Sequence, residues 1–415
     1  MLAYESASLE ARPPREASAG IRRLALLYLW ITIASGAVVF SEPAPYDVLM
    51  IGAIAILPLT GLAPLTRGLA LYLLLLTGIV AGGFIATTQA GVLSVPASHV
   101  AITLYLAASS VVMAAFFADR PEARIRLVMS AYMAAAVIAA SAALIGYFSL
   151  APGTYDLFTE FGRARGTFKD PNVLGAFLVP ALLYAFNAVL TARFARASLW
   201  AVLMPLLLFG VLLSFSRGAW INLAVALAFY AYLSLITAAT NRQRLKLAGF
   251  VVLAGVLVLG VFAAAQTIPK VADLLGERAT LEQSYDVGPE GRFGGQKKAA
   301  ELVITHPLGI GALEFARVYH NEDVHEVYLN MFLNTGWIGG TLYLFLVLTT
   351  LALGFRQAVR DRGSSGLSNV FVAAFLGMAL EGLVIDTDHW RHFYLIMARV
   401  WGLAIAYRPS THARR

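Results

Sequence analysis

The chain has 415 residues, 59% of them hydrophobic and only 13% charged, with a formal net charge of +7 and no cysteine. Soluble domains carry about 25% charged residues, so too little charge is present to dress a soluble surface. A soluble enzyme, a nucleic-acid-binding module and a disordered chain are excluded, as are disulfides, thiolate metal sites and thiol chemistry.

Apolar runs long enough to cross a roughly 30 Å hydrocarbon core recur along the chain and predict an all-α polytopic membrane protein of about twelve transmembrane helices. They fall near 22–41, 46–64, 68–87, 97–117, 125–150, 171–192, 197–215, 218–237, 246–266, 325–353, 369–386 and 391–407. The first follows Arg12, Arg15, Arg22 and Arg23 and reads as an uncleaved helix, because its apolar stretch is long and more spans follow. The whole of 1–415 reads as a single integral membrane domain. Two connections are long, 151–170 and the loop 267–324 between spans nine and ten. Within that loop 296–305 has the pattern of a short amphipathic helix, with Ala299, Leu302 and Val303 on one face and His306-Pro307 ending it.

Cytoplasmic loops retain Lys and Arg. With both termini inside, nineteen basic residues fall on the inner side and eleven on the outer, with Arg399 inside the last span. Nine of the outer ones lie in the two long loops. Arg217 is in the tight turn Ser214-Phe215-Ser216-Arg217-Gly218. Charge held at the membrane boundary against this trend is a functional candidate.

Three segments could carry chemistry. In 163–172, Arg163, Arg165 and Lys169 crowd a helix start where Asp170 suits the N-cap and Pro171 the first turn. Such an N-terminus attracts anions. The second is Ser216-Arg217-Gly218. In the third, from Asp323 to Gly340, the long loop re-enters the membrane. His325 and Tyr328 form an i,i+3 pair there, and Glu326, Asn330 and Asn334 form a polar stripe at i,i+4 spacing. Of these, only His325 titrates near neutral pH unperturbed.

Together these segments resemble the O-antigen ligase and Wzy-type polymerase superfamily of bacterial membrane glycosyltransferases. The matching pieces are Gly-Thr-Phe-x-x-Pro-Asn at 166–172, Ser-Arg-Gly at 216–218 and Gly-Arg at 291–292. His-Pro-Leu-Gly-Ile-Gly at 306–311, His-x-x-Tyr-Leu at 325–329 and Thr-Gly-Trp-Ile-Gly-Gly at 335–340 follow. The resemblance implies a GT-C-like fold in the bacterial inner membrane, with 267–324 as a periplasmic loop. It also implies an inverting, metal-independent transfer without cofactor, from an undecaprenyl-diphosphate-linked glycan to an acceptor hydroxyl at the periplasmic face. Arg165, Arg217 and Arg292 stand where the family binds pyrophosphate. Arg163, Lys169, Asn172, Glu326 and Tyr328 are possible supporting residues, and His325 stands where the family has its general base or orienting histidine. With lipid A-core as acceptor the chain is a ligase, and with a lipid-linked repeat unit it is an O-antigen or exopolysaccharide polymerase. Membrane lipids are partners and nucleic acid is not.

Three competing features are also legible. Asp386-Thr387-Asp388 with His389 and His392 resembles a metal-binding aspartate pair, although it suits a solvated turn as well. Glu381 and Arg399 in adjacent spans suggest an intramembrane ion pair. Twelve spans with both termini inside would also suit a secondary transporter, but the two halves of the sequence are not alike.

Overall fold

The computed structural model describes residues 17–191, 194–278, 288, 291–360 and 366–406. The description is almost entirely helical. In chain order the helices are α1 (Ala19–Ala34), α2 (Pro45–Leu59), α3 (Ala70–Thr87), α4 (Ser94–Ala118) and α5 (Pro121–Tyr147). They continue with the short α6 (Thr154–Phe158), α7 (Pro171–Thr191), α8 (Phe194–Leu213), α9 (Arg217–Thr237) and α10 (Asn241–Gln266). The last are α11 (Pro269–Arg278), α12 (Arg292–Thr305), α13 (Val327–Arg360), α14 (Leu367–Glu381) and α15 (Arg391–Ala406). The described strands are a small antiparallel hairpin, β1 (Thr159–Glu160) and β2 (Arg163–Ala164). Phe161 and Gly162 turn it with positive φ angles of 48° and 74°, as a tight hairpin requires.

Each of the twelve predicted apolar segments contains a helix. Among the described residues, seven helices are long and apolar enough to cross a membrane: α3 with its preceding turn, α4, α5, α7, α9, α10 and α13. Helices α2 and α14 and the 197–213 part of α8 are apolar but shorter. The outer faces carry large apolar side chains, as on α10, where Val252, Leu253, Val256 and Leu259 are exposed. A surface of this kind is stable against lipid and costly in water. The chain is a polytopic α-helical membrane protein.

Helix α13 runs along α3, α15 along α4, and α14 against α9 and α7. The α3–α13 approach is close because glycines face each other. A Cβ on Gly82 would lie 2.5 Å from the Thr335 carbonyl oxygen and 3.2 Å from Gly339 Cα. Backbones in lipid pack most tightly where side chains are smallest.

Two predicted spans are resolved differently from expectation. The segment 325–353 is helical only from Val327, runs on to Arg360, and is broken at Gly336 (φ 68°, ψ −176°), a conformation essentially confined to glycine. The 306–311 loop docks into the break. Trp337 N–H donates to the Pro307 carbonyl (2.9 Å), and Ile310 N–H donates to that of Leu333 (2.8 Å). The segment 369–386 stops being helical at Glu381, which frees 382–390 to form a loop before α15. Within the long loop, the predicted amphipathic helix is α12, which starts four residues earlier than expected, and α11 was not anticipated.

Candidate functional site: a histidine beside basic helix N-termini

The Gly-Thr-Phe run is first an anchor. Gly166 has φ 55° and so close an approach to α5 that a Cβ would lie 2.7 Å from the Ala139 carbonyl oxygen. Val39 N–H donates to the Thr167 carbonyl at 2.8 Å, and the Thr167 hydroxyl reaches the Ala37 carbonyl. Phe168 is buried against Phe177. This fixes the start of α7, where Asn172 N–H donates to Asp170 Oδ1 at 2.5 Å, the N-terminal role expected of Asp170.

The hairpin and the α8–α9 turn are tied by Arg163. Its Nε donates to the Ser214 carbonyl (2.8 Å) and an Nη to Asn172 Oδ1 (2.7 Å). The supporting residues Arg163 and Asn172 therefore hold each other. Phe215 enters the turn with φ 48°, the Ser216 hydroxyl accepts from Ala219 N–H at 3.2 Å, and Arg217 opens α9. Gly218 passes Glu381, where a Cβ would lie 3.0 Å from Oε1. Arg165 makes one long bond to the Leu157 carbonyl (3.3 Å), and its buried Nε has no hydrogen-bond partner among the described residues. A half-buried guanidinium with spare donors is a ready anion ligand.

Arg292 opens α12, and its charge reaches His325. His325 stands just outside α13 in the left-handed region (φ 51°). The helical His325–Tyr328 pair expected from sequence therefore does not form. Instead the Tyr328 hydroxyl donates to the Ala379 carbonyl on α14 (2.5 Å), while His325 Nδ1 lies 3.8 Å from Asp386 Oδ2 and Nε2 lies 4.0 Å from Glu322 Oε2. Burial and the Arg292 charge hold the imidazole below its usual pKa, against the opposing charges of Asp323, Glu322 and Asp170.

The polar stripe on α13 faces protein, as expected. Glu326 caps the helix, accepting from Tyr328 and Leu329 N–H at 3.2 and 2.7 Å. Asn330 Nδ2 donates to Asp386 Oδ1 at 2.9 Å, and Asn334 is buried. Burial and the Asp388 charge push the Asp386 carboxyl above the usual carboxylate range. In the sequence Asp386 stands out only as half of an aspartate pair. The fold separates that pair, with Asp386 toward His325 and Asn330 and Asp388 toward His99 and His389.

The Glu381–Arg399 ion pair is also corrected. Glu381 accepts from Asn222 Nδ2 (2.7 Å), whereas Arg399 donates to Gln357 and Ser368 and lies over the Phe371 ring. Ser368 and Glu381 stand at opposite ends of α14, about 20 Å apart at 1.5 Å per residue, because α14 and α15 run antiparallel.

Beside this cluster opens a cavity of about 330 Å³. Its lining includes the aromatic side chains of Tyr46, Tyr132, Phe168, Phe177 and Trp390 and the charged groups of Glu42, Lys169, Asp170, Asp323, Asp386, Asp388 and Arg391. Lys169 reaches Glu42 at 3.4 Å. Arg391 grips Asp47 through two bonds of 2.7 and 2.6 Å, tying α15 to α2. Arg165, Arg217 and Arg292 are not among the described residues lining this cavity.

Helices α9 and α12 each begin with an arginine and α7 follows Lys169 by two residues, helix ends that attract negative charge, and His325 stands beside Asp386. These features belong to a polytopic α-helical membrane protein with basic and imidazole groups close to one end of α13. Residues 201–344 match the family model described as O-antigen ligase, which supports the resemblance to the O-antigen ligase and Wzy-type superfamily. The matched stretch includes Arg217, Arg292, His325 and the 306–340 loop clasp. No curated protein matches the chain.

Proposed function

We propose that the chain is an inner-membrane glycosyltransferase of the O-antigen ligase type, with both termini cytoplasmic and twelve crossings. It moves a glycan from undecaprenyl diphosphate to an acceptor hydroxyl at the periplasmic face. The observation that carries this reading is that His325 has both the charge of Arg292 and the carboxyl of Asp386 close to it, within a stretch, 201–344, matched to the O-antigen ligase model.

The donor's diphosphate is held by Arg165, Arg217 and Arg292, which supply the positive charge that a metal would otherwise supply, so the transfer is metal-independent. His325, oriented by Asp386, takes the proton of the acceptor hydroxyl as its oxygen attacks the anomeric carbon from the face opposite the leaving group. The C1–O bond breaks, the configuration inverts, and charge developing on the departing diphosphate is met by the guanidinium groups. The cavity is the acceptor side. The carboxylates of Glu42, Asp170 and Asp323 in its lining repel a diphosphate but accept hydrogen bonds from sugar hydroxyls, and its aromatic side chains suit the apolar faces of sugar rings. Lipid A-core is the favoured acceptor. A lipid-linked repeat unit in the same place would make the chain a polymerase, and a secondary transporter is the alternative of another class.

The test is a product assay with purified protein and a defined undecaprenyl-diphosphate oligosaccharide, with and without lipid A-core. Product only in the presence of lipid A-core is expected. Longer lipid-linked chains from donor alone would identify a polymerase. Absence of covalent product, with substrate flux in proteoliposomes, would replace the enzyme reading by the transporter.

A further inference from the structure

Two imidazoles and a carboxylate that the transfer chemistry does not use converge in the lining of the cavity. His99 comes from the second turn of α4. Asp388 and His389 are consecutive in the loop between α14 and α15. His99 Nε2 lies 3.5 Å and His389 Nε2 3.9 Å from the same oxygen, Asp388 Oδ2. The three ligand atoms all lie within 4.8 Å of one another. Asp388 is only 6% exposed, and the two rings are stacked with centroids 3.9 Å apart.

Two stacked imidazoles cannot both carry a proton cheaply, and a buried carboxylate needs a cation or donors close to it. A divalent ion between the two nitrogens and Oδ2 answers both demands with one charge centre. Nitrogen and oxygen ligands bind Zn²⁺ at about 2.0–2.2 Å, which places tetrahedral ligands about 3.4 Å apart. The donors, within 4.8 Å of one another, must draw together, and the two stacked rings must turn so that both in-plane nitrogen lone pairs meet the ion. Thr103 Oγ1 is hydrogen-bonded to His389 Nε2 at 2.9 Å and releases that nitrogen when the ion binds, and the cavity gives access for a water as fourth ligand.

We propose that His99, Asp388 and His389 form a binding site for a divalent transition metal of the zinc class. The ion joins α4 to the 382–390 loop. Its role is positional, because the loop that supplies two of the ligands also carries Asp386, which faces His325. The donor set of two imidazoles and one carboxylate favours Zn²⁺ or Co²⁺ over Mg²⁺ or Ca²⁺, which take mainly oxygen ligands.

The experiment uses untagged full-length protein in detergent, stripped with chelator, desalted, and titrated with Zn²⁺ and separately with Co²⁺. Bound metal is counted by mass spectrometry after gel filtration, the Co²⁺ visible absorption is recorded, and the melting temperature is followed with and without Zn²⁺. One equivalent per chain, an intense tetrahedral Co²⁺ spectrum and a metal-dependent rise in melting temperature are expected. His99→Gln and the near-isosteric Asp388→Asn should each weaken binding at least tenfold and abolish the thermal shift, whereas His306→Gln, outside the cluster, should leave both intact. Less than a tenth of an equivalent on the wild-type protein would overturn the site, a result that needs no variant to fold. Binding unchanged in both His99→Gln and Asp388→Asn would overturn it equally. Because every readout is metal content, absorption or melting, failure here is separate from failure of the product assay.

Discussion

His325 owes its direction to a backbone that side-chain-bearing residues seldom adopt. At φ 51° it sits in the left-handed region, at a cost of roughly 1–2 kcal/mol, and from there its ring meets Asp386 instead of following α13. His325→Gly should therefore melt no lower than the wild type while turnover falls about 10²–10⁴-fold, the usual contribution of a general base. Thermal unfolding and product formation on the same preparation check this, and a folded variant with near-normal turnover would remove His325 from the mechanism. As the proposed base, His325 must be neutral to act, and burial with the Arg292 charge lowers its pKa from 6.5. The acid limb of kcat/KM that belongs to the imidazole should therefore lie at lower pH than an unperturbed histidine would give. The groups facing the ring are Asp386, Glu322, Asp323, Asp170 and Arg292. Among the arginines, Arg217→Lys keeps the charge but loses the planar fork. A fall of more than tenfold in kcat/KM for the lipid-linked donor is expected, and equal activity would reduce Arg217 to a topological role.

At the scale of elements, the family-like motifs divide into those near the chemistry and those that build the frame for it. His-Pro-Leu-Gly-Ile-Gly and Thr-Gly-Trp-Ile-Gly-Gly, separate in sequence, are two halves of one clasp. A Cβ on Gly336 would lie 2.8 Å from the Pro307 carbonyl oxygen, and one on Gly309 would lie 2.6 Å from that of Leu333. Gly336→Ala forces an alanine into a glycine-only conformation, at about 1–3 kcal/mol, and against backbone that cannot yield. It should lower the melting temperature and loosen the start of α13, with activity falling in step. An unaltered melting temperature would show that the break in α13 is not held by this clasp. The motifs were legible as runs of glycine and polar residues, but their pairing was not. It depends on a loop returning about 25 residues later to dock in a helix break that no local pattern marks.

For the whole molecule, the distribution of basic residues makes a topology prediction that the absence of cysteine renders simple to test. Single-cysteine variants Lys297→Cys in α12 and Arg244→Cys at the start of α10 lie on opposite sides if the charge bias is read correctly. An impermeant maleimide added to intact spheroplasts should label the first and not the second. Labelling in the reverse pattern would invert the orientation and place the candidate site on the cytoplasmic side.

The sequence by itself determined the membrane class, the positions of twelve helical segments, the arginine-bearing helix starts and the histidine. Each rests on local hydrophobicity, capping residues or side-chain type, and these act over a few residues. The tertiary structure decided the partners. It set Asp386 against His325 across 61 residues of chain, bound Arg163 to the α8–α9 turn, and parted the Asp386–Asp388 pair so that each carboxylate meets a different set of groups. It also separated Glu381 from Arg399 by the length of α14. Which side chains meet depends on helix direction, on where a helix stops, and on how closely glycine-bearing backbones approach. Such distances are fixed by packing among elements far apart in the chain, and composition and spacing carry no record of them.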